Sequence, residues 1–315
     1  MSETVKKATR ESYGAALVEL GKVNEKVIVL DADLSAATKT GMFKKEFPER
    51  FFDSGIAESN MIGVAAGLAS VGYTVFASSF AMFLAGRAFE QIRNSVGYTN
   101  LNVKFGATHA GISVGEDGAS HQCCEDIALM RSIPGMTIIN PADDVESKMA
   151  VFAAADFDGP VYLRFGRLPV PRIFDENTYK FEIGKGVELF DGTDVTIIAT
   201  GLMVKEAIEA RNILKDENIS AKVINIHTIK PIDRDIIIQA AKKTGCIVTA
   251  EEHSIIGGLG SAVCEVVCEE YPVPVVRVGV NDEFGQSGPA LELLKLYKLD
   301  AENIAHKAKQ AIKLK

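Results

Sequence analysis

The sequence predicts an α/β protein of two domains, each a mostly parallel sheet flanked by helices. Three observations carry this. Short apolar runs of strand length alternate with segments of helical spacing along most of the chain. Such alternation calls for parallel strands covered by helices on both faces. The 315 residues amount to about two domains of ordinary size, and a polar stretch rich in Pro and Gly falls between the two halves.

The elements follow in order. Strands are predicted at Val27–Leu30, Tyr73–Ala77, Leu101–Ala107, Met136–Ile139 and Val161–Arg164. Helices are predicted at Met61–Ser70, Phe83–Val96, Cys124–Ser132 and Asp144–Ala155; Leu84, Ala88, Ile92 and Val96, four apart, mark one apolar face. From Pro169 to about Thr193 the punctuation by Pro169, Pro171, Gly184, Gly186 and Gly192 reads as a surface linker. Strands resume at Val195–Ala199, Ala221–Ile226, Cys246–Thr249 and Val275–Val278, with helices at Lys205–Leu214 and after Gly260. A closing helix capped by Asp300 carries Ile304, Ala308, Ala311 and Ile312 on one face. The expected organisation is a first domain over 1–175, a linker over 176–190 and a second domain over 191–315.

Composition narrows the function. With 34 basic and 42 acidic residues the net charge is −8, which gives no electrostatic footprint for nucleic acid or an anionic membrane. Five unevenly spaced cysteines suit a reducing, cytoplasmic setting better than a disulfide framework. The polar N-terminus has no signal-peptide core. Ser59–Gly86 is uncharged over 28 residues, but its glycines, and the break at Gly72, favour a buried helix followed by a buried strand over a membrane span.

The familiar nucleotide motifs are missing. Gly257-Gly-Leu-Gly260 lacks the third glycine of the dinucleotide fingerprint and is expected only to open a helix tightly. Cys264 and Cys268, four apart on an apolar helix, read as core packing rather than as a metal site. Gly111-Ile-Ser113-Val-Gly115 matches a hydrolase nucleophile pattern, but a polar loop follows where a helix is required, so the match is accidental.

Denser chemistry lies in Thr108–Gln122, which holds two of the chain's five histidines, Glu116, Asp117 and three glycines after a strand. Loops at strand carboxyl ends are where parallel α/β sheets bind ligands. A second candidate is Glu58, which opens the uncharged stretch; its carboxyl is expected to be desolvated, with a raised pKa suited to proton transfer. Phe80 and Phe83, read as the start of a helix, form a candidate stacking platform.

Taken together, Gly55-Ile-Ala-Glu58-Ser-Asn-Met61, Ser79-Phe80-Ala-Met-Phe83 with Arg87-Ala-Phe-Glu-Gln-Ile-Arg93, and His109 through Gly115-Glu-Asp-Gly-Ala-Ser-His-Gln122 resemble transketolase. Arg131-Ser-Ile-Pro-Gly, Asn140-Pro-Ala-Asp143, Glu251 through Gly260 and Phe284-Gly-Gln-Ser-Gly288 extend the resemblance over nearly the whole chain. It covers the pyrimidine-binding and C-terminal domains of the family; the diphosphate-binding domain has no counterpart. The resemblance therefore implies one subunit of a split transketolase. It implies thiamine diphosphate with Mg²⁺ held by ligands on a separate N-terminal subunit, self-association to α2β2, and sugar phosphates as substrates. The cofactor supplies the acyl-anion equivalent that no side chain can.

Residue by residue, the resemblance gives Glu58 the pyrimidine nitrogen, Phe80 and Phe83 the ring faces, and Asp33 a place near the cofactor. It gives Asp117 and His121 the sugar hydroxyls, with His121 a candidate for proton transfer. Arg10, His109 and one of Arg164 and Arg167 would hold the sugar phosphate, a use that suits arginine. This sequence departs from the family at Ser59, Ala110, Ala37 and Gly86, which bears on acceptor preference and phosphate affinity. Deoxyxylulose-phosphate synthase and the β subunit of 2-oxoacid dehydrogenases share the cofactor, but they carry other residues in the 109–122 loop. A non-catalytic partner of the same fold is the alternative from outside enzymology.

Overall fold

The computed structural model describes residues 6–315. The first half contains β1 (Lys6–Ala8), α1 (Thr9–Val23), β2 (Val27–Asp31), α2 (Ser35–Thr38), α3 (Gly41–Glu46), β3 (Phe51–Asp53), α4 (Glu58–Ser70) and β4 (Thr74–Phe80). It continues through α5 (Phe89–Gln91), β5 (Val103–Thr108), α6 (Asp126–Arg131), β6 (Thr137–Ile139), α7 (Asp144–Asp156), β7 (Val161–Arg164) and β8 (Pro169–Pro171). The second half contains β9 (Val187–Phe190), β10 (Val195–Ala199), α8 (Met203–Asp216), β11 (Ala221–Asn225), β12 (Thr228–Lys230) and α9 (Arg234–Thr244). β13 (Ile247–Ser254), α10 (Leu259–Glu270), β14 (Val275–Val280), α11 (Ala290–Leu296) and α12 (Ala301–Ile312) complete it.

Seven strands make the first sheet in the order β12-β6-β7-β5-β4-β2-β3, parallel except at β12. The second sheet runs β14-β13-β10-β11-β9, parallel except at β9. β2, β4, β5, β7, β10 and β11 are buried along their whole length, as apolar runs covered on both faces must be. The uncharged stretch from Ser59 becomes α4 and β4, and no helix among the described residues is long and apolar enough to cross a membrane. Asp300 caps α12 by accepting from Asn303 N at 2.8 Å, and Ile304, Ala308 and Ala311 lie in the core below it.

Four expectations change. Phe80 is the last residue of β4, not the start of a helix. The predicted helix over 83–96 is interrupted by two wide turns, in which Ala88 N reaches back to Phe83 O and Tyr98 N to Arg93 O. Leu84, Ala88, Ile92 and Val96 are nevertheless all buried. The Pro169–Thr193 segment is not all linker. β8 pairs antiparallel with β1, and β9 closes the edge of the second sheet. Cys268 is exposed and Cys264 only half-buried, so neither is a core residue.

The two sheets are tied together directly. β12 leaves the second half to pair with β6, Asn140 N donates to His227 O (2.8 Å), and Ser254 N donates to Cys124 O (2.8 Å). Arg131 crosses to Gly257 O (2.8 Å) and to Glu265 (2.6 Å).

One buried charge in the first sheet carries a thermodynamic signature. Lys104 Nζ, on β5, donates to Phe157 O and Gly159 O, both at 2.6 Å, and makes no ion pair among the described residues. Burial pushes its pKa down from 10.5 to about 7, against a weaker upward pull from Asp158. Two carbonyls are what the two N–H groups of a neutral amine need. The unfolded chain keeps this proton up to its ordinary pKa, whereas the fold releases it near 7, so the unfolded state binds more protons between those values. Stability contributed by this site is therefore expected to rise with pH across that window. Urea unfolding of the wild type and Lys104→Met at about pH 7 and about pH 9.5 checks this, the variant losing part of the rise. Equal slopes would show that the folded lysine stays charged.

Candidate active site

Parallel strands deliver their carboxyl ends to one edge, and in the first sheet that edge collects the polar residues. β2 ends at Asp31, beside Ser78 of β4 and Asp53 of β3 in the register. β4 ends at Phe80 opposite Thr108 of β5, and β7 ends at Arg164 opposite Ala107. The strand order reverses direction around β2 and β4, the kind of place where open α/β sheets hold ligands.

Glu58 is the first residue of α4, where the helix dipole favours a carboxylate, and it is only 1% exposed. Arg87 Nη1 donates to its Oε2 at 2.7 Å from a half-exposed position. Burial matches the sequence-based expectation; the cation opposite it does not. The Arg87 guanidinium also lies 4.8 Å from the centroid of Phe83. Phe83 stacks on Phe80 (5.9 Å, 12°), and Phe80 on His109 (3.9 Å, 25°). His121 meets the edges of both phenylalanines, at 6.2 and 5.3 Å. A ring slotted between Phe80 and Phe83 would need about 7 Å, twice an optimal carbon–carbon contact. The pair therefore offers a wall for a flat ring rather than a slot.

Beyond the wall lies a cationic pocket. His109 takes a left-handed φ of 56°, and its Nδ1 is 2.9 Å from Thr108 Oγ1. Burial pushes its pKa down to about 3, with Arg10, Arg167, Lys39 and His121 adding to the shift in that order. The imidazole is therefore neutral at ordinary pH. Arg10, in the first turn of α1, donates to Ala37 O at 2.5 Å. Among the described residues neither Arg10 nor Lys39 forms an ion pair, and Arg167 meets only the exposed Glu116 (3.0 Å) and Val114 O. Behind this pocket Asp31 is raised to about 6 by burial, against hydrogen bonds from Thr38, Thr40 and Leu34 N.

Asp33 is exposed just past β2, with φ 62° and its N–H on Asp53 Oδ1 at 3.1 Å. In the 109–122 loop Asp117 is exposed, and His121 is half-buried with Nδ1 2.9 Å from Ser120 Oγ. Ser113 is fully buried in a 3₁₀ turn instead of standing exposed between a strand and a helix, which removes the hydrolase reading. Gly257–Gly260 opens α10, whose N–H groups at Leu259 and Gly260 donate to Glu251 (2.6 and 2.8 Å), so the helix start is already filled by a carboxylate. No group of three His, Cys, Asp or Glu among the described residues is placed to hold a metal ion.

The model of the transketolase pyrimidine-binding domain matches residues 5–172, and that of the transketolase C-terminal domain matches 184–304. The chain belongs to the transketolase family. It is 55% identical over 98% of its length, and 98% of the relative's, to a Methanocaldococcus jannaschii protein named as a transketolase C-terminal section. It is 43% identical over 97% of its length, and 95% of the relative's, to a 6-deoxy-6-sulfo-D-fructose transketolase subunit of Clostridium sp.. A solved split-gene transketolase in an inactive β4 tetramer superposes with a TM-score of 0.90 at 54% identity, covering 98% of this chain and 99% of that one. Against human transketolase the identity is 39% over 95% of this chain, which spans 48% of the human protein.

Within this transketolase fold the choice between two arginines becomes structural. Arg164 is buried, its Nε and Nη2 on Asp126 at 2.8 and 3.2 Å, and Nη2 also donates to Glu252 O at 2.9 Å. It is spent on the interior and cannot reach the pocket, which corrects its expected place among the substrate-binding residues; Arg167 faces Arg10 and His109 instead. The sequence reading also missed Lys39 and Arg87, whose neighbours lie far away in the chain. Removing Arg164 strands a buried carboxylate, so Arg164→Met is expected to cost about 3–5 kcal/mol of stability. Arg164→Met/Asp126→Leu is expected to recover part of that loss. Denaturant midpoints of the three proteins check this; a double variant no better than the single would show that the two charges are not coupled.

Proposed function

We propose that this chain is one half of a two-polypeptide transketolase that moves a two-carbon ketol unit between ketose and aldose sugar phosphates. In this reading a separate diphosphate-binding subunit completes the site and the assembly is α2β2. The observation that carries it is the gathering of Glu58, the Phe80–Phe83 wall, His109, His121, Arg10 and Arg167 at one sheet edge. A second support is length, since the relatives matched end to end bear the names of sections or subunits. The outward face of α4, with exposed Asn60, Gly63, Val64 and Gly67, and Ile56 77% exposed just before it, offers an apolar surface for association. Five unpaired cysteines favour a reducing cytoplasm.

The residues fit the pyrimidine end of thiamine diphosphate. Glu58 presents a buried carboxyl beside an aromatic wall, as recognition of a flat, hydrogen-bonding heterocycle requires. Mg²⁺ and its ligands are assigned to the other subunit, with the diphosphate. When bound, the cofactor supplies a thiazolium carbon able to carry the acyl-anion equivalent. Glu58 holds the proton at the pyrimidine nitrogen, and Arg87 balances its charge until that nitrogen arrives. Asp33 borders the same site. His121, with its imidazole on the wall and Asp117 four residues before it, holds sugar hydroxyls and moves a proton at one of them. Arg10 and Arg167 hold the terminal phosphate; Arg10 Nε, buried and without a partner among the described residues, is the donor left for it. Neutral His109 adds a hydrogen bond without a titrating charge.

Reconstitution tests the reading. The chain alone is expected to show no ketol transfer, and addition of the cognate diphosphate-binding subunit is expected to restore it. Transfer by the chain alone would sink the split-enzyme reading. Condensation of pyruvate with glyceraldehyde phosphate would favour a deoxyxylulose-phosphate synthase. In the reconstituted complex Glu58→Gln is expected to lower turnover at least about 100-fold while the complex still assembles. Turnover near wild type would reject the role of Glu58.

A further inference from the structure

The second domain contributes none of the residues placed around the cofactor or the phosphate, yet it meets the 109–122 loop at points from Gly111 to Gln122. That loop is poorly able to hold itself. His109, Gly111, Gly115 and Gly118 have left-handed φ of 56°, 84°, 83° and 76°, and between them run only short 3₁₀ turns. Outside the 3₁₀ turns its own backbone bonds are few: Gly111 N to Cys123 O (2.8 Å), Gly118 N to Gly115 O (3.1 Å), and His121 N and Gln122 N to Gly118 O (3.0 and 3.1 Å).

What fixes its path comes from two side chains. Gln122, buried directly after His121, shares its amide hydrogens among Ile112 O (3.1 Å), Gly115 O (3.3 Å) and Gln286 O (3.0 Å), the last in the second domain. Glu252, buried on β13, accepts from Ser113 N at 2.6 Å. The glycines mark the same face. A Cβ on Gly111 would fall 2.5 Å from the carboxyl carbon of Glu252, and one on Gly115 would fall 3.3 Å from Gly288 O. One on Gly118 would strike Ser287. Three left-handed glycines thus let the loop lie flat on the second domain, while Asp117 is exposed and His121 is half-buried against Phe80 and Phe83.

We infer that the second domain is the template that sets the substrate loop, with Gln122 and Glu252 as positioning residues for Asp117 and His121. The inference rests on the reading that this loop meets substrate. Glu58, Phe80 and Phe83 stand on α4, β4 and the segment after it, and the two phenylalanines meet the loop at the His109 and His121 rings and not at Gln122 or Glu252, so substrate handling is expected to suffer more than cofactor binding.

The reconstituted complex provides the test, using Gln122→Met, Glu252→Leu and Glu252→Gln. Gln122→Met keeps bulk but removes the donors. Glu252→Gln keeps a carbonyl oxygen for Ser113 N, and Glu252→Leu does not. Gln122→Met and Glu252→Leu are expected to lower kcat/KM for sugar phosphates by roughly tenfold or more, the cost of about one lost buried hydrogen bond. Apparent affinity for thiamine diphosphate, followed by quenching of protein fluorescence, is expected to stay within about twofold, well under one decade of the affinity scale. Glu252→Gln is expected to restore most of the loss. Equal losses in cofactor affinity and in kcat/KM, or a Glu252→Gln variant as poor as Glu252→Leu, would overturn the inference. If Gln122→Met does not fold, the Glu252 pair decides. A second readout needs no activity: the His121 ring resonance of the chain is expected to shift in Glu252→Leu and not in Glu252→Gln. Wild-type complex inactive on every sugar phosphate would remove the functional reading, while that resonance still decides whether the second domain sets the loop.

Discussion

Arg164 carries a guanidinium into a fully buried position, and the elements around the substrate loop converge to satisfy it. Its donors meet Asp126 at the start of α6, Cys123 O at the end of the loop, and Glu252 O on a strand of the second domain. A buried cation left unpaired would cost several kcal/mol, so none of these partners can move independently. Burial by itself pushes the guanidinium pKa down, but the charge and hydrogen bonds of Asp126, with Glu252 and Tyr162 behind them, outweigh the loss of water and the net shift is upward. The result is a rigid node just behind a flexible-looking loop. β7 can then end at the edge of the candidate site, with Arg167 three residues further on donating to Glu116 and Val114 O.

That node also explains why the two sheets form one working unit. The strand bearing Glu252 is the one whose neighbouring carboxylate, Glu251, fills the start of α10. Burial raises Glu251 to about 7, against the two N–H donors and the more distant Arg164 and Arg131. Two adjacent acids on one strand therefore point to opposite faces, as strand geometry dictates. One organises the second domain internally, and the other reaches across to the loop of the first. Loss of either would leave buried donors without acceptors, which is costlier than never having made the bond.

The parts legible in the sequence are those whose physics is local. Completely buried parallel strands such as Val27–Asp31 and Val195–Ala199 are apolar on both faces, so their composition announces them. α1 is different. It holds Gly14 and Gly21, which weaken a helical pattern, and both are required by packing from afar. A Cβ on Gly14 would meet the Lys39 backbone, and one on Gly21 would meet Phe43 and Phe47 at 2.6 Å. β8 and β9 are short antiparallel edges, half open to solvent, and carry no apolar run. In the site, Glu58 and the 109–122 loop were legible because their unusual residues cluster along the chain. Arg164 and Arg167 were not separable, because what decides between them is Asp126, 38 residues from Arg164. Lys39 and Arg87 escaped notice for the same reason: a surface lysine and a helix arginine look ordinary until the fold places them.

The electrostatics of the pocket follow from where those cations end up. The chain carries a net charge of −8, so any anion approaching at long range meets repulsion. Within a Debye length, about 8–10 Å at ordinary salt, only the local groups matter. There Arg10, Lys39 and Arg167 surround His109, with Glu116 as the one acid paired to any of them among the described residues. Burial keeps a proton off His109 and the same three cations add to the effect, so its imidazole contributes geometry and the guanidinium groups contribute charge. Arginine does not titrate in the working range. A pocket built this way holds its charge constant.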